Sequence, residues 1–115
     1  MIAGQYRFHG HGSLRYVYAK GKAQRSHHVT IKYVENGRRK RSRFSVVISK
    51  KVLKSAVGRN RVRRRIYEYI RTEMHRIDGV HDVVVICTSS ELRSMPYEQL
   101  KEQLDLLFER AELYR

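Results

Sequence analysis

Arg59-Asn60-Arg61-Val62-Arg63-Arg64-Arg65-Ile66-Tyr67-Glu68-Tyr69-Ile70-Arg71 is the stretch from which the rest of the chain can be read. Apolar residues recur at Val62, Ile66, Ile70, Met74 and Ile77, spacings that put them on one face of a 3.6-residue helix. On the same wheel Arg61, Arg64, Arg65 and Glu68 fall on the opposite side. The pattern predicts an amphipathic helix from about Ser55 to Arg76, anchored by its aliphatic stripe, with guanidinium groups facing outward. Like charges three and four residues apart repel in an isolated helix, and Glu68 alone cannot offset them. A polyanion can, because the arginine fork matches phosphate oxygens two at a time. The competing reading is a merely solvated face. Such faces ordinarily mix both signs, and this one does not before Glu68.

The flanking residues extend the pattern. Ser49-Lys50-Lys51-Val52, then Ala56-Val57, then Arg59-Asn60-Arg61-Val62-Arg63-Arg64 resembles the signature of the bacterial ribonuclease P protein component. In that family a Ser-Lys-Lys segment ends a strand and an Arg-Asn-Arg stretch opens the long central helix. Leu53-Lys54-Ser55 is one residue longer than the usual connection. The resemblance runs from about Arg7 to Tyr114, with its strongest part over 44–71.

Composition points the same way. The 115 residues suffice for one domain spanning 1–115, with a net charge of +14 and 41% hydrophobic residues. Residues 1–67 hold 19 of the 25 lysines and arginines against Glu35 alone. Residues 68–115 hold the other 6 against 10 acidic side chains. The first part has the footprint of a nucleic-acid binder, and the second reads as scaffold. One cysteine, Cys87, excludes an internal disulfide and reads as a buried small hydrophobe. No apolar run approaches the roughly 18 residues of a membrane span, and no signal-peptide core opens the chain, so a cytoplasmic protein is expected.

In chain order, Met1 to Gly12 reads as an irregular arm, and Ser13 as the cap of a short helix ended by Gly21. Leu14, Val17 and Tyr18 share a face of that helix, and Tyr16 falls on another. Val29, Ile31 and Tyr33 alternate with polar residues as a half-buried strand. Glu35-Asn36-Gly37 then suggests a tight hairpin into a return strand carrying Phe44, Val46 and Ile48. Arg38, Arg39, Lys40, Arg41 and Arg43 would sit at its tip, as solvated charge or as phosphate contacts. Asp78-Gly79 ends the central helix, 82–88 is a strand covered on both faces, and Pro96 opens a last helix. Leu100, Leu104, Leu107, Phe108 and Ala111 close the core.

A strand, a helix and a further strand suggest a parallel pair within a mixed sheet, whose crossover is ordinarily right-handed. The resemblance implies instead the left-handed crossover of a ribosomal-protein-like α/β sandwich. That fold is α+β, with the order αβββαβα and a mixed four-stranded sheet. It also implies an extra short strand near Lys22 to Ser26.

The chain offers little chemistry of its own. His9, His11, His27 and His28 cluster in pairs, with no ligand pattern to complete a zinc site. No pocket of histidines and lysine can be placed for a self-sufficient ribonuclease. No catalytic and no metal-binding residues are therefore assigned. What the resemblance implies is that a catalytic RNA subunit performs Mg2+-dependent cleavage at the 5′ end of mature tRNA. The Mg2+ would be held mainly by that RNA and the substrate. The expected partners are the ribonuclease P RNA and precursor tRNA, with no DNA and no membrane. Lys50, Lys51, Arg59, Asn60, Arg61, Arg63, Arg64 and Arg65 would meet the RNA subunit. Leu14, Tyr18 and Lys32 would line a cleft for the 5′ leader. Tyr18 could stack on a base and Lys32 could meet phosphate, whereas Leu14 can do neither. The alternative is a structural, ribosomal-protein-like RNA binder with no role in cleavage and no need of such a cleft.

Overall fold

The computed structural model describes residues 3–8 and 11–115. Its elements are α1 (His11–Lys20), β1 (Lys22–Arg25), β2 (Val29–Glu35), β3 (Arg43–Ile48), α2 (Ala56–Glu73), β4 (His81–Cys87) and α3 (Tyr97–Arg110), with 3-10 turns at Gly4–Tyr6, Met74–Arg76 and Ser90–Arg93. The strands form one sheet in the order β1-β2-β4-β3. β2 runs antiparallel to β1 and to β4, and β3 runs parallel to β4.

The predicted hairpin is therefore not formed. β4 lies between β2 and β3, and the chain leaves Asn36 for the far edge of the sheet rather than folding straight back. Asn36 and Gly37 have no positive φ. The Asn36 carbonyl instead accepts from Arg39 N at 3.2 Å and its side-chain oxygen from Arg38 N at 3.3 Å. An Asn-Gly pair is a local turn signal, and here the central strand's demand for two neighbours decides the pairing.

Alternation along the strands separates the two faces of the sheet. Ile31, Val85 and Val46 stand in one cross-sheet row, Val29, Cys87 and Ile48 in a second, and Tyr33, Val83 and Phe44 in a third. All nine are buried against α2 and α3. α2 contributes Val62, Ile66 and Ile70, as its periodicity predicts, and also Tyr67 and Tyr69. α3 contributes Leu100, Leu104, Leu107 and Phe108. Each aliphatic side chain so buried contributes about 1.5–3 kcal/mol. The opposite face has a smaller cover, in which Val17 of α1 and Phe8 enclose Val84.

The edge strand β3 is shielded along its length. Phe8 N donates to Phe44 O at 3.1 Å, Arg7 bridges Phe44, and Val46 N donates to the Tyr67 hydroxyl at 3.3 Å. The expected irregular arm is thus tied to the sheet at Arg7 and Phe8. Met1, Ile2, His9 and Gly10, the rest of that expected arm, lie outside the described residues, apart from the helical His11 and Gly12. α1 begins two residues before the expected cap, so Ser13 falls within its first turn. Gly21 does end the helix, but by close approach and not by a left-handed backbone. A Cβ there would stand 2.5 Å from Val17 O and 2.9 Å from Tyr33 O. Gly79, with φ of 79°, is the left-handed glycine between α2 and β4.

Candidate RNA interface

The start of α2 is built by local hydrogen bonds. Ser49 closes a turn by accepting from Val52 N and Leu53 N, both at 3.2 Å. Ser55 caps the helix by accepting from Gly58 N at 3.0 Å. One guanidinium nitrogen of Arg59 then reaches back to the carbonyls of Leu53 and Lys54, at 2.9 and 2.7 Å. Arg59 thus clamps the connection whose start carries Lys50 and Lys51, both exposed.

Beyond this clamp the arginines divide. Arg64 and Asn60 point into solvent, and Arg63, half-buried, donates to Asn60 Oδ1 at 3.0 Å. Arg61 is exposed but donates to Arg93 O at 3.2 Å. Arg65 is half-buried and directs its fork to Leu92 O, at 2.7 Å, and to Met95 O. The expectation that Arg61 and Arg65 face only outward therefore needs correction. The 3-10 turn Ser90–Arg93 packs beside α2 and presents carbonyls that these two side chains satisfy. Burial lowers the pKa of Arg65, and Arg61 lowers it further. Val57, 72% exposed, lies on the same outer face as Arg64.

A second feature lies across the sheet. The face covered by α1 carries Thr30, Ile86 and Val47 in one row and Lys32, Val84 and Ser45 in the next. α1 has only ten residues and leaves Thr30, Ile86 and Val47 half-exposed beside it. At the rim Lys32 Nζ donates to Tyr18 O at 3.3 Å and stands 5.4 Å from the centre of the Tyr18 ring. The expected meeting of Tyr18 and Lys32 is thus present. Tyr18 is 39% exposed, whereas Leu14 is half-buried and packs against Phe8, Val17 and Val84. Leu14 is thus a packing residue of α1 and offers no exposed platform.

The family model for Ribonuclease P matches residues 2–112. The ribonuclease P protein component of Pseudanabaena sp. is 30% identical over 98% of this chain and 97% of its own length. The chain belongs to the ribonuclease P protein family. The Clostridium kluyveri member is 31% identical over 96% of this chain and 97% of its own. Among solved structures, the Staphylococcus aureus ribonuclease P protein superposes with a TM-score of 0.84, at 23% identity over 96% of this chain and 98% of its own. The Thermotoga maritima protein gives 0.77, at 25% identity over 88% and 94%.

As a ribonuclease P protein, the chain is a subunit of a ribonucleoprotein endonuclease of tRNA processing. Several further polar groups are held within the fold. Asp82, buried, receives Arg43 Nε at 3.0 Å, Arg43 Nη2 at 2.8 Å and Asn36 Nδ2 at 2.9 Å. Arg43 in turn covers the Phe8 ring at 4.9 Å. Of the basic loop, Arg38 and Arg39 line a concavity of about 760 Å3 that reaches the first turn of α1 at Gly12, Ser13 and Tyr16. Burial pushes the Cys87 thiol up to about 12, which removes it as a nucleophile. His28 is held between Glu91 Oε2 at 2.6 Å and Gln103 Oε1 at 3.0 Å. Among the described residues, no group of three or more histidines, cysteines and carboxylates could hold a metal ion.

The sequence reading did not single out Thr30, Val47 and Ile86, the half-exposed row beside α1. Their signal was present in the positions that alternate with the core residues of three strands. It could be used only once the cover on that face was known to be a single short helix.

Proposed function

We propose that the outer face of α2, through Asn60, Arg63 and Arg64 and continued by Lys50 and Lys51, binds the ribonuclease P RNA. The cleft of Tyr18 and Lys32 over Thr30, Val47 and Ile86 receives the 5′ leader of precursor tRNA. In this division of labour the RNA subunit and the substrate hold Mg2+ and cleave the phosphodiester, in the cytoplasm where tRNA precursors are made. The protein supplies cations to neutralise phosphate and a half-apolar surface for an unpaired strand. Arg59 positions the Lys50-Lys51 connection, while Arg61 and Arg65 are shared between holding the 3-10 turn and edging the RNA surface.

The observation that carries this reading is the separation of roles on α2. Arg64 and Asn60 are left exposed on a helix whose Arg59, Arg61 and Arg65 are held by carbonyls of the fold. The cleft favours this reading over a purely structural RNA binder, which requires no such groove. The test is cleavage of precursor tRNA in Mg2+ by the protein alone, by the RNA subunit alone and by both. The expected outcome is no cleavage by protein alone and a single enhanced cut at the mature 5′ end with both. Site-specific cleavage by RNA-free protein would overturn it.

A further inference from the structure

We infer that the groove between α2 and the first turn of α3 takes one unpaired base of the RNA bound along α2, stacked on Tyr97. The inference rests on the reading of α2 as the RNA surface and adds a second element, α3, to it.

The groove has a volume of about 350 Å3 and is lined by Arg64, Arg65, Glu68 and Tyr97. That size lies within the roughly 300–1,000 Å3 of small-ligand sites. Tyr97 is the first residue of α3, directly after Pro96, and its side chain remains 41% exposed. Arg65 is fixed from behind by Leu92 O and Met95 O, so it forms a wall that cannot swing away. Arg64 is exposed and makes no hydrogen bond or ion pair among the described residues.

The chemistry selects a base over a phosphate inside the groove. Both bonded nitrogens of Arg71 go to Glu68 Oε1, and Oε2 has no hydrogen-bond partner among the described residues. The hydrogen bond from Arg71 lowers the pKa of this carboxylate. An ionised carboxylate repels phosphate and accepts the amino groups of adenine, cytosine or guanine edges. The phenol ring offers the stacking face, and Arg64, one turn before Glu68, meets the flanking phosphate.

The test uses the full chain with the ribonuclease P RNA at fixed salt. Affinity is measured for wild type, Tyr97→Ala, Tyr97→Phe, Tyr97→Leu and Arg64→Ala. Reactivity of unpaired adenines and cytosines to dimethyl sulfate is read with and without protein. Tyr97→Ala should weaken binding roughly 5- to 100-fold, and Tyr97→Phe should stay near wild type. A protection seen with wild type and Tyr97→Phe should disappear with Tyr97→Ala while the others persist. If the Tyr97→Ala melting temperature falls, Tyr97→Leu decides the matter. Loss of affinity with leucine supports stacking, and retention overturns it. Wild-type affinity and protections in Tyr97→Ala, beside a weakened Arg64→Ala, would leave RNA on α2 and the groove empty. An unaffected Arg64→Ala would sink the reading of α2 itself.

Discussion

The guanidinium of Arg65 on α2 donates to the carbonyl of Leu92 at 2.7 Å, so an arginine of the basic motif closes the end of a 3-10 turn. Its neighbour Arg64 makes no comparable bond and stays in solvent. Adjacent residues of one charge are thereby given different tasks.

Arg65→Ala is expected to destabilise the fold by about 1.5–3 kcal/mol, since a buried carbonyl loses a charged donor. Arg64→Ala should move stability by no more than about 0.5 kcal/mol. In RNA binding Arg64→Ala should also lower the steepness of the salt dependence by about 0.7 to 0.9 log units per log unit of salt. Urea denaturation and binding titrations at several salt concentrations check both. A stable Arg65→Ala with an unchanged melting curve would remove the structural role.

Tyr18 should report the leader specifically. Tyr18→Ala is expected to cost about 1–3 kcal/mol in binding of precursor tRNA to the assembled particle, and nothing on mature tRNA. Tyr18→Phe keeps the ring and should be nearly silent. Equal losses on both RNAs would mean that the ring packs against Lys32 and does not stack on substrate.

The Asp82 carboxylate is buried and gripped by both Arg43 and Asn36. Asp82→Ala leaves Arg43 without its partner under the first helix and is expected to cost about 3–5 kcal/mol. Glu91→Ala removes the partner of His28, but Glu91 is largely exposed and should cost no more than about 1 kcal/mol. Midpoints of urea unfolding at neutral pH compare the two. A larger loss in Glu91→Ala would contradict the placement of Asp82 as the central polar anchor.

Alkaline solutions should unfold this protein before they would an average one. Burial raises the pKa of Cys87 to about 12 and also raises those of Tyr69 and Tyr114. In the unfolded chain the thiol ionises near 8.5 and the phenols near about 10. The unfolded state then binds fewer protons than the native one, so stability falls as pH rises above about 8.5. Each group adds a slope of up to about 1.4 kcal/mol per pH unit once its unfolded value is passed. Cys87→Ala should flatten the fall between about pH 8.5 and 10, and Tyr69→Phe the fall above about pH 10. An unchanged slope in either variant would show that its group is not kept protonated.

The elements with long periodicity were legible in the sequence. α2, α3 and the core faces of β2 and β3 follow from 3.6- and 2-residue patterns, β4 from its unbroken apolar run, and Val62, Ile66 and Ile70 lie where the wheel puts them. The sheet's mixed character followed from the strand-helix-strand order, and the short strand β1 came from family resemblance. Pairing order was not legible, because Asn36-Gly37 is a local signal and the insertion of β4 is a long-range one. Within the site, the arginines could be counted but not sorted. Whether Arg61 or Arg65 faces water depends on the carbonyls of residues 92–95, which no pattern within 59–71 encodes.

The strand at the middle of the sheet is the last strand to be synthesised. β2 and β3 have no common neighbour until His81–Cys87 has left the ribosome, although both were completed more than thirty residues earlier. During that interval the emerging chain carries almost all of its cationic side chains and no finished sheet to display them on. Closing it requires contacts distant in sequence, which are slow to form. Only the arrival of β4 joins β2 to β3 and gives the basic residues that precede it one continuous sheet.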